Sequence, residues 1–200
     1  MSDDHTFRFV LLGILLMVLP IGMYHRIRSQ ATREPLDRRQ EGLFILATLR
    51  PAGLGFFVGL VAYLISPSSM AWASMPLPAV VRRAGVGVCA MGAILLTWTF
   101  RRLGKNLTDT VVTRRDHTLV THGPYRWVRH PFYDSVTLFL LGLSLIAANW
   151  FLLLTGAVVV TLLVIRTRRE EDHLMRRFGD SYREYMNRTG RFLPRWGSRR

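Results

Sequence analysis

Residues 135–165 contain no charged side chain, and both flanks are basic, with Arg129 ahead and Arg166, Arg168 and Arg169 behind. So long an apolar run belongs in lipid, where backbone polar groups must be satisfied within helices or a closed barrel. As one helix it is too long for an untilted crossing of a hydrocarbon core about 30 Å thick. Flanking charge settles the choice, because basic residues collect on the cytoplasmic side. Two basic ends on one side require an even number of crossings. The run is therefore expected to be a helical hairpin turning near Ala148-Asn149. Each arm supplies about 15 apolar residues, about 22 Å of helix, and should continue past the membrane surface.

Further apolar runs precede the hairpin. Phe7 to Tyr24 is interrupted only by Arg8. The acidic Asp3 and Asp4 ahead of it, and the lack of an A-x-A-like site after it, favour a retained helix over a cleaved signal. Leu43 to Ile65 carries Arg50, which is either a functional intramembrane charge or an arginine reaching the nearby headgroups. Gly55 and Gly59 in the same run form a G-x-x-x-G step suited to close helix packing. Ser66 to Pro78 reads as a short external loop, and a third span follows from about Ala84 to Phe100. Arg82 and Arg83 at its outer end run against the charge rule locally. The expected fold is an all-α integral membrane protein with about five transmembrane helices, including the C-terminal hairpin, and a cytoplasmic binding region. Residues 1–102 would hold the first three spans and residues 103–200 the functional core. The N-terminus is expected outside and the C-terminus in the cytoplasm, at a cell inner membrane or its equivalent.

Half the residues are hydrophobic, yet the formal net charge is +14. In a soluble chain that excess would suggest nucleic acid. Here the charges cluster between apolar runs, which points to membrane lipids as partners and not to nucleic acid. Cys89 is the single cysteine, so neither a disulfide within the chain nor a cysteine pair for zinc is available. His117, His122 and His130 lack an accompanying acid at metal-ligand spacing, and no metal is expected. Nothing in the apolar patterning fixes an oligomeric state.

The polar segment His117 to Tyr133 reads H-T-L-V-T-H-G-P-Y-R-W-V-R-H-P-F-Y. Gly123-Pro124 and His130-Pro131 mark turns. Aromatic rings, guanidiniums and imidazoles in so short a span suit a ligand with an aromatic ring, polar edges and an anionic end. They equally suit an interfacial loop with its arginines on lipid phosphates. Arg166 to about Tyr185 is expected to be a charged amphipathic helix, with Arg166, Glu170, Leu174 and Phe178 on one face. Glu171 would point about 100° away, toward solvent or a basic neighbour. Gly179 should end that helix, and Ser181 with Glu184 reads as a capping box opening another.

Residues 117–133, followed by R-x-x-x-E-E at Arg166 to Glu171 and F-G-x-x-Y-x-x-Y at Phe178 to Tyr185, resemble the isoprenylcysteine carboxyl methyltransferase family. The likeness covers about Leu103 to Pro194. It implies a membrane enzyme that uses S-adenosyl-L-methionine and methylates a lipid-like or prenylated acceptor. It also implies that the cofactor is held by His117, Thr118, Leu119 and Val120, by Tyr125, by His130, Pro131, Phe132 and Tyr133, and by Glu170. Arg166 would face the acceptor, so Arg166 and Glu170 are the implied catalytic pair; an ordinary i,i+4 ion pair explains their spacing as well. Where the family uses a Gln for the cofactor, this chain has Thr110, which reaches less far.

Related membrane methyltransferases share these elements, so N- or S-methylation of a phospholipid amine or a small thiol remains open beside carboxyl O-methylation. A non-catalytic scaffold or transport component would bind no cofactor, and a sterol-type reductase would need a nicotinamide.

Overall fold

The computed structural model describes residues 2–30, 43–104 and 118–195. Among them the helices are α1 (Ser2–Gln30), α2 (Leu43–Ile65), α3 (Ala79–Leu103), α4 (Pro131–Ala147), α5 (Trp150–Phe178) and α6 (Asp180–Arg188). Short 3-10 turns, Pro67–Ala73 and Gly123–Arg126, follow α2 and precede α4. Helices α1, α2, α3 and α5 are long and apolar enough to cross a membrane, and α4 is a shorter apolar helix. The all-helical membrane architecture expected from the sequence is the one observed.

The hairpin of α4 and α5 turns where the sequence places it. Ala148 adopts φ 47° and ψ 51°, the left-handed conformation that closes α4. The buried Asn149 caps α5, its side-chain oxygen accepting from the Leu152 N–H at 3.1 Å. The same amide donates to the Met70 carbonyl at 3.4 Å, and the Met75 N–H donates to Ala148 at 2.7 Å. The loop after α2 thereby lies across the hairpin turn. Trp72 and Trp150 meet edge to face there, both exposed, as indole rings are at a lipid–water boundary.

The same end of the bundle explains Arg82. Its side chain is buried, with Nε donating to the Ile146 carbonyl at 2.9 Å and Nη1 paired with Asp4 at 2.6 Å. Its guanidinium lies over the Phe7 ring at 4.0 Å. It satisfies a carbonyl at the end of α4 that no later turn can bond. The arginine that contradicts the charge rule is thus a staple joining α1, α3 and α4.

Close packing is concentrated between α3 and α4. A Cβ on Gly142 would stand 2.5 Å from the Cys89 backbone nitrogen, and one on Gly92 2.7 Å from that of Phe139. Only small residues permit backbones to approach so nearly, the usual device where lipid removes any hydrophobic drive to pack. The G-x-x-x-G step in α2 serves only by half. Gly59 is pressed by Phe151 of α5, whereas Gly55 has nothing within 4 Å.

Helix α5 continues past the apolar run, as expected of the hairpin arms. No break separates the apolar run from the charged segment, because backbone hydrogen bonding continues unchanged through Ile165 and Arg166. Its 29 residues span about 43 Å, against about 30 Å of hydrocarbon, so the charged end projects beyond the membrane. Gly179, at φ 51°, ends it as expected. Helix α6 then starts at Asp180 with Gly179 as its cap residue, and no Ser181 capping box forms.

Gly142→Val should lower the thermal unfolding midpoint in detergent, at a cost of about 1–3 kcal/mol for overpacking. Gly55→Val should change stability by less than about 0.5 kcal/mol. Equal midpoints for the two variants would contradict the α3–α4 contact.

Candidate functional site

At the end opposite Asn149, α4 begins beside the charged part of α5. Pro131 occupies the first helical position, where its missing N–H costs nothing, and His130 precedes it in a non-helical conformation. Gly123 takes φ 66°, and the Arg102 side chain crosses its open face, 2.7 Å from where a Cβ would stand. The segment that follows α6 returns to pair with the start of this region. The Arg129 N–H donates to Gly190 at 2.9 Å, the His130 N–H to Arg191 at 3.1 Å, and the Gly190 N–H to Trp127 at 3.2 Å. The Tyr185 hydroxyl donates to the Tyr125 carbonyl at 2.7 Å and clamps α6 onto the 3-10 turn.

Glu171 ties these pieces together. Its side chain is 8% exposed. One carboxylate oxygen accepts from Arg129 Nε at 2.9 Å and meets His130 Nε2 at 3.1 Å. The other accepts from Arg191, with Nε at 3.1 Å and a second bond from Nη2. Burial alone would raise the Glu171 pKa. Hydrogen bonds from His130, Arg191 and Arg129 outweigh it and hold the carboxyl well below the usual range. An ionised carboxylate only accepts, so the His130 Nε2 carries the proton. Arg129 Nη1 also donates to the Thr189 and Met186 carbonyls at 2.5 and 3.2 Å, which spreads its part-buried charge over further acceptors.

Glu170, the neighbouring residue, faces a different group. The Tyr133 hydroxyl donates to it at 2.6 Å, and the Tyr133 ring stacks on His130 with centroids 5.4 Å apart. The charges of both Arg166 and Glu170 act on the Tyr133 hydroxyl. Tyr125 is close enough that burial and then the Glu170 charge push its phenol well above the ordinary value.

Beyond Tyr133 lies a cavity of about 770 Å³. Trp127, Leu138, Val160, Leu163 and Phe192 supply much of its apolar lining, and the half-buried Asp134 is the one acidic or basic residue of its wall among the described residues. The volume falls within the roughly 300–1,000 Å³ of sites for organic ligands.

The structure therefore brings together Tyr125, His130, Pro131, Phe132, Tyr133, Arg166 and Glu170 at one corner. Thr118, Leu119 and Val120 form an extended lead into the turn, the first exposed and the others half-buried. His117 and Thr110 lie outside the described residues. The His130 ring, expected to face a ligand, is 3% exposed with Nε2 directed to Glu171, which leaves Nδ1 as its remaining polar atom. The inward face of α5 is Leu163, Thr167 and Glu171, all buried, while Arg166, Glu170, Leu174 and Phe178 flank it half-buried. Glu171 meets basic neighbours as one of its two expected settings, but as a buried centre. Arg129, Arg191 and Asp134 have site positions that no local sequence pattern marked.

These features define a polytopic helical membrane protein with a polar corner opening on an apolar cavity. The phospholipid methyltransferase family model matches residues 80–181, half of the chain, and the protein belongs to that family. The chain is 30% identical over 118 residues to the protein-S-isoprenylcysteine O-methyltransferase of Schizosaccharomyces pombe, covering 58% of this chain and 50% of that one. It is 34% identical over 82 residues to the cobalt-zinc-cadmium resistance protein CzcN of Cupriavidus metallidurans, covering 41% of this chain and 38% of that one. It spans half or less of either relative. The solved eukaryotic intramembrane Ras methyltransferase, an isoprenylcysteine carboxyl methyltransferase, has the same fold, with a TM-score of 0.51 and 22% identity. That match covers 92% of this chain and 67% of the solved one. The resemblance drawn from the motifs is the one these comparisons support.

Glu171→Gln would leave Arg129 partly uncompensated, a loss of about 3–5 kcal/mol if its burial persists. The lowered folded pKa sets the sign of the pH dependence. The Glu171 contribution is complete above the ordinary glutamate pKa of about 4.3 and is lost as pH falls below it. Thermal unfolding between about pH 5 and pH 2 should show wild type losing stability and Glu171→Gln staying flatter. Parallel curves would contradict the assignment.

Proposed function

We propose that the protein is an S-adenosyl-L-methionine-dependent methyltransferase acting on a lipid-like acceptor, with carboxyl O-methylation of an isoprenylcysteine-type substrate as the reaction the site suits best. The observation that carries this reading is Tyr133, which lines the apolar cavity on one side and bonds Glu170 on the other.

The residues present suit the cofactor. Tyr125 and Phe132 offer apolar faces, and Glu170 offers a negative partner for an amino or hydroxyl group. Backbone groups of Thr118 to Val120 and of His130 to Tyr133, with the His130 Nδ1, are the polar atoms for its amino-acid and adenine edges. When bound, the cofactor supplies a methyl group on a positively charged sulfur. That methyl would pass to an acceptor oxygen lone pair, with the electron pair of the C–S bond left on sulfur. A carboxylate acceptor is already ionised near neutral pH, so no side chain has to remove a proton. The work left to the protein is to align the reactants and exclude water. Arg166, one turn before Glu170, orients the acceptor carboxylate as a two-pronged donor. The cavity receives the apolar chain.

Basic residues at this end favour a cytoplasmic side for it and for the C-terminus, with the α1 N-terminus outside. The membrane assigned is a cell inner membrane or its equivalent. The family description carries a second reading, methylation of a phospholipid amine, with a small thiol as the other acceptor of that class. An ammonium acceptor must lose a proton first, with Glu170 then available as base.

Arg166→Ala should reduce methyl transfer to a prenylcysteine by about 10–100-fold, as expected for losing a charged hydrogen-bonded contact of about 1.5–3 kcal/mol. Affinity for S-adenosylhomocysteine should stay nearly unchanged, and the rate should show no basic limb above neutral pH. Equal loss of rate and cofactor affinity would contradict the role given to Arg166. A rate rising with pH through the amine range would favour the second reading.

A further inference from the structure

The turn Gly123–Arg126 carries two guanidiniums that neither the Glu171 cluster nor the Tyr133 corner uses. The Arg102 side chain, from the end of α3, crosses the face of Gly123. Arg126 closes the same turn, its guanidinium 4.0 Å from the centre of the Trp127 ring. Both arginines are exposed, and among the described residues neither is paired with a carboxylate. A guanidinium stacked on an indole face still presents its N–H edge to an anion. Trp127 also lines the apolar cavity, together with Leu193 and Pro194. Trp127 is 40% exposed and Leu193 80%, so apolar surface continues from the cavity to the edge of the protein.

The depth of this turn can be counted along α5. From Trp150 at the opposite boundary, a hydrocarbon core of about 30 Å takes about 20 residues and reaches Glu170. Tyr133 bonds Glu170, and Trp127 shares the cavity wall with Tyr133, so the Arg126–Trp127 pair stands at the level of the lipid headgroups. Indole rings favour that depth, and arginine there meets lipid phosphate. A soluble phosphate would leave the exposed Leu193 and Pro194 uncovered, whereas the chain of a lipid covers them. The ammonium of a zwitterionic head would be set against two guanidiniums, a repulsion that a net anionic head avoids. We propose that Arg102 and Arg126 bind the phosphate of an anionic phospholipid, whose acyl chain lies along Trp127 and Leu193 at the mouth of the cavity. The inference does not depend on which methyl acceptor the cavity takes.

The test reconstitutes the full chain in phosphatidylcholine vesicles containing a lipid brominated in its acyl chains, either phosphatidylglycerol or phosphatidylcholine. Bromine quenches a tryptophan that it touches, and the Trp127 contribution is the fluorescence lost in Trp127→Phe. Half-quenching of Trp127 should need an at least about tenfold lower mole fraction of the phosphatidylglycerol, since each arginine near the surface supplies a factor of about five. Arg126→Gln should lower that preference by about fivefold, and the double change with Arg102→Gln should abolish it. Arg126→Lys, which keeps the charge and loses the fork, should retain part of it. Arg183→Gln removes an equal charge on α6, from a residue paired with Asp180, and should leave the preference within about twofold. Equal quenching by the two lipids in wild type, or quenching of Trp127 by neither, would overturn the proposal. So would a preference that survives the double change, or one that Arg183→Gln lowers as far as Arg126→Gln does. Arg126→Gln decides the question if the double variant fails to fold.

Discussion

A single carboxylate, Glu171, holds together three parts of the chain that are distant in sequence. Arg129 and His130 come from the start of the hairpin, Glu171 from the projecting end of α5, and Arg191 from the segment after α6. Arg129, largely withdrawn from water, has its charge met by the same anion that His130 and Arg191 reach. The geometry of the corner follows from that. With Glu171 turned inward, Glu170 one position on is directed to Tyr133, and Phe192 is brought against the cavity. The site depends on ion pairing at the edge of a membrane, where partial burial makes such pairing strong.

The rest of the bundle sets where this corner stands. The α3–α4 contact through Gly92 and Gly142 fixes α4 along its length. The Asn149 cap and the Arg82 staple fix its far end. With both ends fastened, the first turn of α4 presents His130, Tyr133 and Asp134 in a set order around the helix. The apolar cavity begins one side chain away from the polar groups. Polar groups and an apolar wall therefore adjoin at Tyr133, the arrangement that the proposed amphiphilic acceptor requires.

Much of the fold was legible in the sequence, for a physical reason. Lipid imposes length and charge rules that a one-dimensional pattern obeys, so the hairpin and its turn at Ala148-Asn149 could be read from arginines outside the run. The run of α5 past the membrane surface and its end at Gly179 were legible too, the first from the short apolar arms and the second from the glycine. A change in hydropathy marks where a helix leaves lipid and not where it ends. Motif likeness singled out Tyr125, Tyr133 and Glu170, which do converge. Glu171 was seen but underrated, since its partners lie 20 to 42 residues away and no spacing rule connects them. Arg82 looked like an exception until the end of α4 supplied the carbonyl it bonds.

The central claim is that a sulfonium donor and an apolar acceptor meet at Tyr133. Ultraviolet crosslinking of S-adenosylmethionine labelled in its adenosine moiety tests this most directly, with the modified peptide identified by mass spectrometry. The account predicts label within residues 118–133 or 166–171, displaced by S-adenosylhomocysteine. Saturable labelling confined to the opposite end of the bundle, near Arg82 or Asn149, would contradict it.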